Sequence, residues 1–371
     1  MQINVAKKNE MKNNQYVLIL AGGVGSRFWP VSRSTYPKQF LDILGTGKSL
    51  IQNTYERFAQ IIPKENIFIL TNESYFDLVN EQIPGLHTNQ IIGEPVMRNT
   101  APCIAYGCFK INQLCADATI VVAPSDHLIL DTPAFIKTIE NALTIAEEND
   151  CLITLGIQPS RPDTGYGYIQ YNHHKLSDNV FKVKTFTEKP TLEIAESFLL
   201  SGDFLWNAGI FVWSVKSILN AFKNHLPDIS EIFTEGNRLY NTPSENEFIQ
   251  TCFQKCTNIS IDYGVMEKAN NVYVMPSEFG WSDLGTWASI YELANKDTTG
   301  NAVIQPSNVI MIDSSNCIVN VPKDKLVILQ GLHDFIVVEA NNTLLISPKT
   351  KEQTVKQIVA NVKTKYGNKF I

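Results

Sequence analysis

The sequence predicts an α/β protein: a Rossmann-like, mixed but mainly parallel sheet flanked by helices, followed by a small C-terminal β-rich, β-helix-like domain. Three observations carry that expectation. Over the first 150 residues, short apolar runs alternate with amphipathic stretches, the pattern of strands joined by crossover helices. A glycine-rich segment, "LAGGVGSR", follows the first apolar run directly. From 300 to 346 the chain becomes a succession of short β runs. At 371 residues it exceeds one ordinary domain. The expected division is a polar tail over 1–15, an α/β domain over 16–295, a small β-rich domain over 296–348 and a terminal helix within 349–371.

Strands are expected at "YVLILA" (16–21), "NIFILT" (66–71), "QIIG" (90–93), "ATIVVAP" (118–124) and "DCLITLGI" (150–157). Residues 49–62 place Leu50, Ile51, Thr54, Tyr55, Phe58 and Ile61 on one helical face before Pro63 stops the run. Helices also fit 73–82, 101–114 and 133–147. Beyond residue 156 come strands with glycine turns, then a helix over "TLEIAESFLLSG" closed by Gly202. Residues 215–269 read as mostly helical, "NVYVMP" (271–276) as a strand, and Trp287 as the start of another helix. The runs in 300–346 suit hairpins or a β-helix-like coil, and 351–365 a polar helix.

Bulk chemistry narrows the function. A net charge of −6 speaks against a nucleic-acid partner, which would want a basic face. Any phosphate must be held by a few local cations, glycine backbone and metal. The seven cysteines are an odd number, and Cys252 and Cys256 form a lone C-x3-C without nearby histidines, so reduced thiols are expected rather than zinc. The polar "MQINVAKKNEMKNNQ" precedes an apolar run too short for a signal sequence or a membrane span. A soluble, cytoplasmic protein with no membrane partner is the expectation.

Two segments suggest phosphate chemistry, and only one meets its requirements. "GTGKS" (45–49) resembles the end of a P-loop, but the position for the first glycine holds Asp42. A turn with Ser49 capping the next helix is the better reading. "LILAGGVGSRFWPVSRSTYPKQF" (18–40) follows a strand and carries Arg27, Arg33 and Lys38. Its glycines lack the dinucleotide spacing. They let backbone N–H groups close on an anionic or planar ligand, while Pro30 and Pro37 keep the loop extended so that Arg27 and Lys38 converge. Bare backbone beside two cations suits a triphosphate. Asp126, past the strand "TIVVAP", and Asp283, in "GWSDLG", can meet in one crevice and hold Mg²⁺, or simply cap helices.

The 18–40 segment resembles the signature of sugar-1-phosphate nucleotidylyltransferases, and its "RFWPVSR…PKQF" form is similar to the mannose-1-phosphate guanylyltransferases. The resemblance continues through "EPVMRNTAPCIA" (94–105), "VVAPSDHLI" (121–129), "GYGYI" (165–169), "FTEKP" (186–190), "WNAGIFVW" (206–213), "DYGVMEKA" (262–269) and "GWSDLGTW" (280–287). It implies the nucleotide-diphospho-sugar transferase type of fold and a nucleotidyltransferase domain over 16–295. It further implies that Leu20, Ala21, Gly22, Gly23, Arg27, Lys38, Asn99 and Asp126 bind nucleotide, with Asn99 touching the base or capping a helix. Gly167, Glu188, Lys189 and Asn207 would hold the sugar phosphate, and Asp126 and Asp283 the Mg²⁺. Arg27, Lys38 and Lys189 would be the catalytic cations. His127 is read as a packed neighbour. The chain stopping at 371 leads to the expectation that the isomerase domain of longer members is absent.

The implied reaction is mannose 1-phosphate plus GTP giving GDP-mannose and pyrophosphate. A phosphate monoester with a second pKa of about 6 is already an anion at neutral pH, so no protein nucleophile is needed. The alternatives are a related enzyme joining glucose 1-phosphate to UTP, dTTP or ATP, and a catalytically silent sugar-nucleotide sensor. Trp29, Trp281, Trp287 and "PKQF" favour the guanylyl-mannose group. The β-rich part is a possible homodimer surface.

Overall fold

The computed structural model describes residues 12–305 and 307–371, apart from the side chain of residue 173; most of the polar tail expected over 1–15 lies outside the described residues. β1 (Gln15–Leu20), β2 (Ile67–Asn72), β3 (Ile91–Glu94) and β4 (Thr119–Pro124) pair in parallel. The two-residue β5 (Leu128–Ile129) precedes β6 (Leu152–Ile157), β7 (Gly167–Ser177), β8 (Val180–Glu188), β9 (Phe204–Ser214) and β10 (Val272–Ser277). Another two-residue strand, β11 (Trp281–Ser282), pairs with β5.

The main sheet runs β3-β2-β1-β4-β9-β6-β10-β8-β7. The parallel run foreseen across the first 150 residues is interrupted, because β9 inserts antiparallel between β4 and β6. Its eleven residues, "FLWNAGIFVWS", are apolar on both faces at the far end, with Val212 and Trp213 fully buried. Such a strand belongs at the centre of a sheet, not at an edge.

Ten helices are numbered here: α1 (Leu50–Phe58), α2 (Phe76–Gln82), α3 (Thr100–Leu114), α4 (Thr132–Glu148), α5 (Leu192–Ser201), α6 (Val215–His225), α7 (Pro227–Thr234), α8 (Glu245–Lys255), α9 (Trp287–Leu293) and α10 (Val355–Tyr366). Period-two alternation divides the strands between two cores. Leu18 and Val122 pack with Ile104 of α3 and Phe222 of α6, while Val17, Ile19 and Val121 pack with Ile51 of α1 and Ile139 of α4.

Local signals are honoured closely. Ser49 and Gln52 form a reciprocal capping box at α1, which ends at Phe58, leaving Ile61 buried in the following turn. The Asp42 carboxylate accepts from the Thr46 and Gly47 amides at 2.9 and 2.7 Å, so "GTGKS" is a closed turn with its own anion. Gly202 ends α5 at φ 75°.

The β-rich part contains β12 (Ala302–Val303), β13 (Asn308–Ile312), β14 (Ile318–Asn320), β15 (Leu326–Gln330), β16 (Phe335–Ala340) and β17 (Thr343–Pro348). β12, β14 and β16 stack in parallel, as do β13 and β15, so this is a coil of parallel rungs. β16 and β17 add an antiparallel pair. A 3-10 segment, Lys349–Thr354, leads into α10, which returns to the glycine-rich segment. Val355 is buried in a cluster with Trp29 and Leu345. Trp29 Nε1 donates to the Phe370 carbonyl at 2.7 Å, and Ser34 Oγ to the Ile371 carbonyl at 3.1 Å. No helix among the described residues is long and apolar enough to cross a membrane.

Candidate active site

The segment after β1 is more tightly wound than its prolines suggested. Instead of an extended loop it makes two three-residue 3-10 turns, Ser26–Phe28 and Lys38–Phe40, closed by Phe28 N to Gly25 O at 3.0 Å and Phe40 N to Pro37 O at 3.0 Å. Pro37 sits immediately before the second turn, where its missing N–H costs nothing. Phe28 is buried 5.1 Å from the Trp287 ring, which anchors the first turn. Gly25 has φ 67°, and a Cβ there would lie 2.3 Å from Lys38 Cβ. Only glycine lets the two ends of the segment approach so closely.

That approach drives Lys38 inward. Its Nζ donates to Asp126 Oδ2 at 2.9 Å and to the main-chain carbonyl of Asp283 at 2.8 Å, lying 5.5 Å from the Phe28 ring centre. One cavity of about 360 Å³ is lined by Arg27, Lys38, Asp126, Asp283 and Lys356. Neither aspartate caps a helix: Asp131 caps α4 and Thr286 caps α9. Burial works against ionising Asp126, but the Lys38 charge and hydrogen bond outweigh it and hold the carboxyl below its ordinary value. Asp283 Oδ1 accepts from the Tyr166 hydroxyl at 2.8 Å and from the Gly285 amide at 2.9 Å. Burial, then the Asp283 charge, pushes the Tyr166 phenol up. His127 takes a 3.2 Å bond from Trp281 Nε1 on Nδ1, and burial lowers its pKa, so it is a neutral neighbour.

A second cavity, about 210 Å³, shares Asp283 and His127 with the first and is lined further by Tyr166, Gly167, Glu188, Asn207 and Asp262. Gly167 pairs across the sheet with Glu188, and a Cβ there would lie 2.4 Å from Glu188 Oε2. Lys189, at φ 48°, turns off the end of β8 and pairs with the Glu188 carboxylate. Asn207 is more committed than a free hydroxyl binder. Its Oδ1 accepts from Thr154 Oγ1 at 2.9 Å and Gly209 N at 3.0 Å, and its Nδ2 donates to Asp262 Oδ1 at 2.9 Å. Burial, with the nearby Glu188 charge, pushes Asp262 up to about 7.

The other nucleotide-side residues divide. Leu20 lines the smaller cavity. The Ala21 carbonyl is occupied by Gln39 Nε2 and Thr71 Oγ1, both at 2.8 Å. Gly22 and Gly23 present bare backbone; a Cβ on Gly22 would meet only Glu94 Oε1 at 3.9 Å, and one on Gly23 nothing. Asn99, exposed at φ 66°, caps α3 by accepting from the Thr100 amide at 2.9 Å. Arg27 Nε donates to Gln353 Oε1 at 3.0 Å. Sequence reasoning did not single out Tyr166, Asp262, Gln353 or Lys356. The first two sit inside quoted motifs and were within reach; the last two lie in an ordinary polar helical stretch.

The donor set fits Mg²⁺. Two carboxylates from separate loops reach one cavity, and no cluster of three His, Cys, Asp or Glu side chains occurs among the described residues. Mg²⁺ characteristically takes one or two carboxylates and completes its shell with substrate phosphate and water. Cys252 and Cys256 are buried, and burial pushes their thiols up to about 12 and about 11, so they are inert packing groups.

An open α/β sheet with two cavities that share Asp283 and His127, one lined by cations and one by carboxylates, suits a nucleotidyltransferase, and comparison agrees. The nucleotidyl transferase family model matches residues 16–300, and the MannoseP isomerase/GMP-like beta-helix domain model matches 307–362. A mannose-1-phosphate guanylyltransferase from Salmonella montevideo is 37% identical over 364 residues, 95% of this chain and 75% of that protein. One from Escherichia coli is 35% identical over 356 residues, 93% and 75% respectively. A crystal structure from Thermus thermophilus, described as a mannose-1-phosphate geranyltransferase, superposes with a TM-score of 0.85 at 28% identity, covering 94% of this chain and 99% of that one. The chain belongs to the mannose-1-phosphate guanylyltransferase family of sugar-1-phosphate nucleotidylyltransferases.

Proposed function

We propose that the protein transfers GMP from GTP to α-D-mannose 1-phosphate, releasing pyrophosphate and forming GDP-mannose. The observation that carries this reading is the junction of the two cavities at Asp283, with cations on the phosphate side and carboxylates on the sugar side. The sugar phosphate attacks the α-phosphorus in line, and its oxygen is already anionic. Lys38 and Arg27 take the nucleotide phosphates, with Arg27 on the departing pyrophosphate, and Lys189 takes the sugar phosphate. Glu188 and Asp262 accept hydroxyl hydrogen bonds, Asp262 positioned by Asn207. Gly22 and Gly23 lie under the nucleotide. Asp126 and Asp283 would hold Mg²⁺, which when bound neutralises phosphate charge in the cleft. The chain's own contribution is alignment and fixed positive charge.

The test is pyrophosphate release by the purified protein with Mg²⁺, crossing GTP, ATP, UTP and dTTP with mannose 1-phosphate and glucose 1-phosphate. GTP with mannose 1-phosphate is expected to exceed every other pair by at least about tenfold, the size of one lost specific hydrogen bond. Preference for another pair would overturn the substrate assignment, and silence from folded protein would overturn turnover itself.

A further inference from the structure

The phosphate-side cavity contains a cation that no motif announced. Lys356 sits one residue after Val355, which is fully buried against the glycine-rich segment, and one turn of chain after Gln353, which holds Arg27. Helix α10 is thus fixed at its start, and Lys356 lines the same cavity as Arg27, Lys38, Asp126 and Asp283. Lys38 already pairs with Asp126, whereas Lys356 makes no ion pair with any described residue. Two further positive charges, Arg27 and Lys189, are close enough to lower its pKa, after partial burial has done so first. Lys189 is paired with Glu188, but neither Arg27 nor Lys356 has an ion-pair partner among the described residues, and holding two such cations together is costly until an anion arrives. A polyphosphate removes that cost, and its size and charge suit the cavity.

We propose that Lys356 is a phosphate-binding catalytic residue: its ammonium group engages the β- and γ-phosphates of the nucleotide and holds the pyrophosphate as it leaves. The C-terminal helix is then part of the active site and not only a support for it. Gln353 acts beside it as a positioning residue, fixing the Arg27 guanidinium through its 3.0 Å bond. The inference rests on the nucleotidyl-transfer reading of the cleft but not on which base or sugar is used.

The deciding experiment titrates inorganic pyrophosphate, with Mg²⁺, into the full chain by calorimetry for the wild type, Lys356→Met and Lys356→Arg. Lys356→Met is expected to weaken pyrophosphate binding at least about tenfold, the loss of one charge-assisted hydrogen bond. Lys356→Arg is expected to recover most of it, which a merely structural role for the side chain would not require. Melting curves should coincide, since Lys356 is exposed. Binding by folded Lys356→Met within twofold of wild type would overturn the proposal, as would a wild type that binds no pyrophosphate. Lys356-dependent pyrophosphate binding without turnover of GTP and mannose 1-phosphate would leave this inference standing and defeat the proposed reaction instead.

Discussion

Two lysines in this protein are equally hidden, Lys38 at 3% exposed and Lys110 at 4%, yet their surroundings differ in kind. Lys110 donates to both Glu245 oxygens at 2.7 and 2.6 Å, and that carboxylate also accepts from the Tyr106 hydroxyl and the Asn241 amide. The cluster borders a cavity of about 670 Å³, yet it is closed in the sense of bonding: each Glu245 oxygen already accepts two hydrogen bonds, and the side chain is only 10% exposed. Lys38 instead reaches Asp126, whose side chain is 31% exposed and opens on a cavity. A closed network fixes α3 to α8; an open one keeps bonding capacity for a ligand. The difference teaches that burial of a charge says little about its job until its partner's free lone pairs are counted.

The comparison breaks most visibly at Glu245. Glu245→Ala strands a buried ammonium and is expected to cost about 3–5 kcal/mol of stability in denaturant unfolding, while folded enzyme keeps its turnover. A cost below about 1 kcal/mol, the level of an exposed pair, would erase the distinction. Asp283→Asn should do the reverse. It is expected to lower turnover by about 10²–10³-fold, with the melting temperature nearly unchanged; turnover within threefold of wild type would place Asp283 among structural groups.

A pH experiment sharpens the contrast on the sugar side. The folded-state pKa of Asp262, about 7, lies above the ordinary value of 3.8, so the unfolded chain loses this proton first. The group therefore disfavours the folded state increasingly as pH rises from about 4 to about 7, and no further above that. Asp262→Asn keeps the acceptor for Asn207 Nδ2, so its melting temperature should gain on wild type between pH 5 and 8. Parallel curves would contradict the raised value. The smallest effect belongs to the α1 cap, whose hydroxyl also donates to Gln82 Oε1: Ser49→Ala should cost about 1 kcal/mol and leave catalysis alone, measured by chemical denaturation.

Legibility follows the range of the interaction that decides each feature. Ser49 was readable as a cap, and Asp42 as the residue that spoils a P-loop, because both act within a few positions. The place of β9 in the sheet was not, since pairing between residues 119 and 214 depends on every strand that competes for the slot. Lys38, Asp126 and Asp283 stood out as motif residues, but the carbonyl of Asp283 as the second acceptor for Lys38 is a three-dimensional fact. Pro30 and Pro37 suggested an extended segment because backbone closure around Gly25 leaves no compositional trace. Lys356 is one lysine among several on a polar helix, and only the docking of Val355 distinguishes it.

The bonds from Trp29 and Ser34 to the carbonyls of Phe370 and Ile371 join the two ends of the described chain. A ribosome makes the glycine-rich segment early and its clasp much later. During synthesis the sheet around β1 can form while the nascent segment still lacks these partners, which are made long after the strands it follows. A messenger that stopped short of Phe370 would yield a chain whose sheet is assembled but whose clasp is missing, a fault that its N-terminal two thirds would not betray.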